Sequence, residues 1–360
     1  MRRALRGLLG ALLVLGVSAP ARAADFFAGK TVTIIVGFAP DGGDDTSPAG
    51  TSINASRQRL KPQPTYEQTA QLYAKHLGRF LTGSPRVVTR AMPGAASLAA
   101  ARFLEKSAAK DGTILAVLGP AFVRQPLLPG GSLQIDPRPF GWIGGRAREI
   151  YVCAVRDGVG VNRFEDIRGK QLFFGATDPR SRPFLHAAGL NLALGGQLRL
   201  VPGYVDPEEI LNSMPRREID GICGIPLSSL HARYPEWISS GSLKLIAQFG
   251  SEKEPRFAYL QTISELARDE TEKRVLQLLD DEAVYAWPLV APPAMPAGRL
   301  EELRAAFDAM MRDRQLVSDA SAMRLPIDAV SGDELARAVA RLADAPPGIL
   351  GKLRSLSGLD

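Results

Sequence analysis

Short, unbroken apolar runs alternate along the chain with longer stretches of helical period. Val32, Ile34, Ile35 and Val36 form the first run, and a run of that length suits a strand buried on both faces of a parallel sheet. It ends in a glycine turn carrying Asp41, Asp44 and Asp45. Residues 47–64 hold three prolines and no apolar period, which predicts a surface loop. Thr65 with Gln68 fits a capping box, and Tyr66, Ala70, Tyr73, Leu77 and Phe80 then recur at helical spacing. A short strand at 86–89, an alanine-rich helix ending near 107 and a strand at 113–118 follow. Strand, glycine turn, helix and strand, met twice, predict a doubly wound α/β arrangement.

A proline- and glycine-rich stretch over 122–139 predicts a crossing into a second unit. Strands are expected there at 149–155, 171–175, 198–201 and 218–222, with helices at 183–194, after Asp206, and at 227–239. The apolar run at 243–249 reads as the return to the first unit. Helices at 271–281 and 297–312 flank a strand at 283–291, and Ser331 with Glu334 caps a later helix. The expected division is 24–125 with 243–360 as lobe 1 and 126–242 as lobe 2, with 47–64 inserted in lobe 1.

The first 23 residues are set apart by composition. Arg2, Arg3 and Arg6 precede an apolar stretch from Leu8 to Val17, and Ala21-Arg22-Ala23 supplies a small-x-small cleavage site. This is the order of a secretory signal, too short for a span of about 20 apolar residues. Its four arginines account for most of the formal charge of +6, leaving +2 without them. The basic balance therefore gives no ground for nucleic-acid binding, and no basic stripe interleaved with aromatics is present. A chain of 360 residues exceeds what one core usually fills, so two domains are expected. Cys153 and Cys223 each sit in an apolar run. Buried free thiols are the expectation, with pairing open in an oxidising compartment.

Three glycine-bearing turns fall where strands hand over to helices, at 40–45, 93–97 and 176–181. Such turns present backbone N–H groups at a helix start, where anions bind. Enzyme chemistry has little to draw on. His76, His186 and His231 have no metal spacing, no G-x-S-x-G or phosphate loop is present, and the three aspartates lack calcium-loop order. No enzyme activity, cofactor or metal is expected.

At this point the residues resemble a known family. The run from Phe26 to Val36 with Pro40, Gly42, Gly43 and Asp45 resembles the opening of the substrate-binding receptors of tripartite tricarboxylate transporters, the Bug receptors. Met92-Pro93-Gly94-Ala95-Ala96-Ser97 is similar to their second ligand loop, and Phe174-Gly175-Ala176-Thr177 with Ser181 to their third. Val201-Pro202-Gly203-Tyr204, the step from Glu218 to Gly221, Val290-Ala291-Pro292-Pro293 and the stretch from Val330 to Leu335 match in the same order. The resemblance implies a two-lobed periplasmic-binding-protein (flytrap) fold that binds a small organic acid through its carboxylate. It also implies a periplasmic, monomeric receptor that hands its guest to membrane permease subunits. A sensor of the same fold, signalling to a membrane kinase, stays open. Carried over, the ligand-binding residues are Pro40, Gly42, Gly43, Asp45 and Thr46, then Gly94, Ala95 and Ser97, then Thr177, Ser181 and Asp220. Asp41 and Ala96 stand where the family has glycine, Asp178-Pro179-Arg180 replaces a glycine-rich turn, and 47–64 is extra. Those departures imply an altered guest preference.

Overall fold

The computed structural model describes residues 26–38, 66–95, 97–124, 135–179 and 181–358. The expected signal, the first glycine turn with Pro40, Gly42, Gly43, Asp45 and Thr46, and the inserted loop lie outside the described residues.

The chain runs through β1 (Thr31–Val36), α1 (Tyr66–Leu77), β2 (Arg86–Ala91), α2 (Leu98–Lys106), β3 (Ile114–Val117), α3 (Ala121–Arg124) and β4 (Gly141–Gly145). It continues with β5 (Tyr151–Arg156), β6 (Leu172–Gly175), α4 (Arg182–Leu194), β7 (Leu198–Val201), α5 (Pro207–Ser213) and β8 (Gly221–Pro226). Then come α6 (Leu227–Arg233), α7 (Pro235–Ser239), β9 (Leu243–Phe249) and α8 (Glu270–Asp280). The last part is β10 (Pro288–Ala291), α9 (Ala297–Met311), α10 (Arg314–Ala322), β11 (Val330–Ser331), α11 (Gly332–Ala343) and α12 (Pro347–Ser355).

The strands form two mixed sheets, ordered β11-β4-β10-β3-β1-β2 and β7-β6-β8-β5-β9. β1 lies between β2 and β3, parallel to both, and Val32, Ile34, Ile35 and Val36 are fully buried as the apolar run predicts. β6 is likewise parallel to β7 and β8, whereas β5 runs antiparallel to β8 and β9. Helices flank both sheets, giving the two-lobed α/β flytrap architecture.

Four expectations are corrected. Gly141–Gly145, expected within the second lobe, hydrogen-bonds in the first sheet between β10 and β11. Its sequence GWIGG carries no strand signal, yet a Cβ on Gly144 would lie 2.3 Å from Phe307 Cε1, so the close approach of α9 demands glycine there. Leu243–Phe249, expected as the return to the first lobe, is the edge strand of the second sheet. The chain therefore crosses once at 146–150 and returns through 250–287, which contains α8. Cys153 and Cys223, expected as free thiols, form a disulfide between β5 and β8 with Cα atoms 4.0 Å apart. The register shift between Val152 and Ala154 sets these two residues, 70 positions apart, against each other. The expected single helix over 227–239 is also divided, because Pro235 has no N–H to continue α6 and starts α7 instead.

Candidate functional site between the two sheets

The carboxyl ends of β1 and β3 converge on Ser97. Gly37 has room for no side chain, since a Cβ would lie 2.3 Å from Ser97 Cβ. The Gly119 N–H donates to Ser97 Oγ at 2.9 Å, and Met92 N–H donates to Val36 O at 2.8 Å. Gly94, Ala95 and Ser97 all have positive φ, at 146°, 49° and 73°. Two of them are not glycine, a strain of the kind that gathers at ligand-binding turns. The expected anion donors at the start of α2 are partly spent, however. Leu98 N–H donates to Ala95 O at 3.1 Å and Ala99 N–H to Gly94 O at 3.2 Å. Ser97 itself is fully buried.

On the second sheet, the turn after β6 is held from both sides. Gly203 N–H donates to Thr177 O at 2.9 Å, and Tyr204 N–H to Ala176 O at 3.2 Å. Ser181 caps α4, accepting from Phe184 N–H at 3.4 Å and from Asp178 N–H at 3.3 Å. Asp220 stands apart from this turn. Its carboxylate accepts from Arg156 Nη2 at 2.6 Å and from Phe173 N–H at 3.0 Å, tying β5, β6 and β8 together near the amino end of β6.

The segment after Gly119, which bonds Ser97, and the segment after the Thr177–Ser181 turn meet at a buried polar cluster absent from the expected site. Arg124 follows Gly119 and ends α3; Arg182 follows Ser181 and begins α4. Between them lies Glu282, on the returning crossing and only 1% exposed. One carboxylate oxygen pairs with Arg124 Nη1; the other stands 3.8 Å from both Arg182 Nε and His186 Nε2. Arg182 lies over the Tyr151 ring at 4.2 Å, and His186 stacks on Phe249 at 3.9 Å. Burial lowers the Arg124 pKa to about 10, which keeps it charged at neutral pH. Burial, with Arg182 and Arg124 nearby, pushes His186 well below its ordinary value, so its ring is neutral. Burial also raises Tyr151 to about 12.

Behind the cluster the two crossings are bonded together. Glu149 N–H donates to Ala283 O at 3.0 Å, and Ser228 Oγ donates to the Glu149 carboxylate at 2.9 Å. Arg146, fully buried, donates to Thr69 Oγ1 at 3.0 Å and to Pro326 O at 2.9 Å while lying over Trp287. Among the described residues no group of three or more His, Cys, Asp or Glu side chains is placed to hold a metal ion.

Sequence reasoning missed Arg124, Arg182 and Glu282. Arg182 directly follows the Ser181 turn at a helix start, which was the one available signal; Arg124, at the end of α3, has none. Glu282 follows Asp280 and Asp281 at the end of an expected helix and reads as one more surface acid there.

The fold is similar to that of several solved solute-binding proteins. A TctC solute-binding protein from Polaromonas, solved without ligand, matches 89% of this chain over 98% of its own, with a TM-score of 0.65 and 17% identity. The periplasmic binding protein BugD matches 92% of this chain over 98% of its own, with a TM-score of 0.55 and 16% identity. MatC from Rhodopseudomonas palustris, solved with bound malate, matches 89% over 98%, with a TM-score of 0.55 and 17% identity. At these identities the likeness is one of fold. No protein-family model matches the chain, and no curated protein matches it in sequence.

Proposed function

We propose that this chain is a periplasmic receptor that captures a small organic acid between its lobes and delivers it, unchanged, to the permease subunits of a tripartite tricarboxylate-type transporter. The observation that carries the reading is the meeting of one arginine from each lobe at Glu282, Arg124 on the segment after Gly119 and Arg182 directly after Ser181. Arginine offers a carboxylate a planar fork of donors and keeps its charge when buried. The turn from Gly94 to Ser97 and the turn from Thr177 to Ser181 position the guest's chain, while Asp220 holds the second sheet together. The MatC structure with malate supports an acid as the guest class.

A thermal-shift screen of the signal-free protein against mono-, di- and tricarboxylates, aromatic acids and acidic amino acids tests this. A guest at 100 times its dissociation constant adds about 2.7 kcal/mol of stability. No shift from any acid would sink the organic-acid reading.

A further inference from the structure

We propose that Glu282 is a built-in stand-in for the guest's carboxylate, holding an arginine of each lobe together in the guest-free protein and yielding its place when an acid enters. The inference rests on the organic-acid reading above and names the residue that competes with the guest.

Position is the first argument. Glu282 lies on the 250–287 crossing, so it belongs to the joint between the lobes. It faces Arg124 from the first lobe and Arg182 and His186 from the second. A side chain so placed links the lobes only while they are close together.

The second argument is how loosely the Glu282 carboxylate is held. A buried carboxylate normally accepts several hydrogen bonds. Two neighbours show what that looks like: Asp281 accepts from Arg341 Nη2 at 2.6 Å and Nε at 3.0 Å, and Glu149 accepts from Ser228 Oγ at 2.9 Å. By contrast, Glu282 Oε2 stays 3.8 Å from Arg182 Nε and His186 Nε2, beyond hydrogen-bond reach. Both Glu282 carboxylate oxygens, both His186 ring nitrogens and the Tyr285 hydroxyl lack a hydrogen-bond partner among the described residues. Glu282 is thus held on both sides by charge rather than by directed bonds. A guest carboxylate able to bond Arg182 directly would take its place at little loss.

Exposure supplies the route. Glu282 and His186 are shut away, whereas the Arg182 side chain keeps 24% of its surface accessible. An acid entering between the lobes meets Arg182 first. Its apparent affinity is then reduced by the fraction of molecules in which Glu282 has let go.

The test compares the parent with Glu282→Gln and Arg182→Gln, using solution X-ray scattering without guest and calorimetry with malate as the probe. Glu282→Gln should expand the guest-free protein and tighten malate binding, about tenfold if ten clamped molecules exist for each released one. Arg182→Gln should expand it too but weaken malate binding, a split in sign that a purely structural role for either residue would not produce. Unchanged scattering for Glu282→Gln, or weaker malate binding by that variant, overturns the proposal. Should Glu282→Gln not fold, the Arg124→Gln/Glu282→Gln pair removes both buried charges and must show the same expansion. Absence of malate binding in parent and variants alike would tell against the organic-acid reading, and the scattering would still decide the clamp.

Discussion

Asp280 gives a pH dependence that can be worked from the structure. It is the last residue of α8 and faces a cavity of about 470 Å³ between the returning crossing and the α11–α12 region. Its carboxyl accepts from Gly250 N–H at 3.1 Å and Ser264 N–H at 3.3 Å. Burial, with a smaller contribution from the Asp281 charge, raises its pKa from 3.8 to about 7. The folded protein therefore keeps this proton over a window in which the unfolded chain has lost it. Stability from this group is present below pH 3.8 and is lost as pH rises towards 7. At about 1.4 kcal/mol per pH unit, the loss across that window comes to about 4 kcal/mol. Asp280→Asn carries no charge at any pH. Its amide cannot accept from both N–H donors, but that penalty does not vary with pH. Urea unfolding of parent and variant at each pH from 4 to 8 isolates the effect. The stability of the variant relative to the parent should climb steadily from pH 4 to 7 and then level off. A difference that stays flat across that range would refute the reasoning, because it would mean that Asp280 titrates alike in folded and unfolded chains.

Two further outcomes follow from the fold and the turns. Replacing Cys153 and Cys223 by alanine reopens a loop of 70 residues in the unfolded chain, which should remove about 4 kcal/mol of stability. Urea midpoints of the parent that are identical with and without reductant would show that the disulfide contributes nothing. Gly94→Val places a side chain at φ 146°, with its Cβ 2.9 Å from that of Ala99. The backbone strain should cost about 1–3 kcal/mol. Malate binding should fall by more than tenfold in calorimetry; parent-like affinity would remove the turn from the site.

Much of the fold was legible locally. The buried run of β1, the extent of α8 and the caps of two helices were all visible in short windows. Ser331 accepts from Glu334 N–H at 3.2 Å, and Asp206 from Glu208 and Glu209 N–H at 3.0 and 2.8 Å, as their spacing indicates. The candidate site was legible only in part. Its two described turns sit where the strand-to-helix pattern puts them, but the charges beside them went unread. β4 escaped notice because its Gly144 makes room for Phe307, a residue on α9 far along the chain. β9 was assigned to the wrong sheet because an apolar run states that a strand is buried and not which strand pairs with it.

The sequence by itself determined most of the strands, helices and turns, β4 and the break between α6 and α7 excepted, since periodicity, capping and glycine freedom act over a few residues. It also determined that charge outside the first 23 residues is nearly balanced and that no enzyme motif stands out. Only the tertiary structure decided which strands share a sheet, that Cys153 meets Cys223, and that Glu282 lies between arginines of different lobes. Those contacts join residues tens to more than a hundred positions apart. They are fixed by strand order and by where the chain crosses, and no short window of residues carries that information.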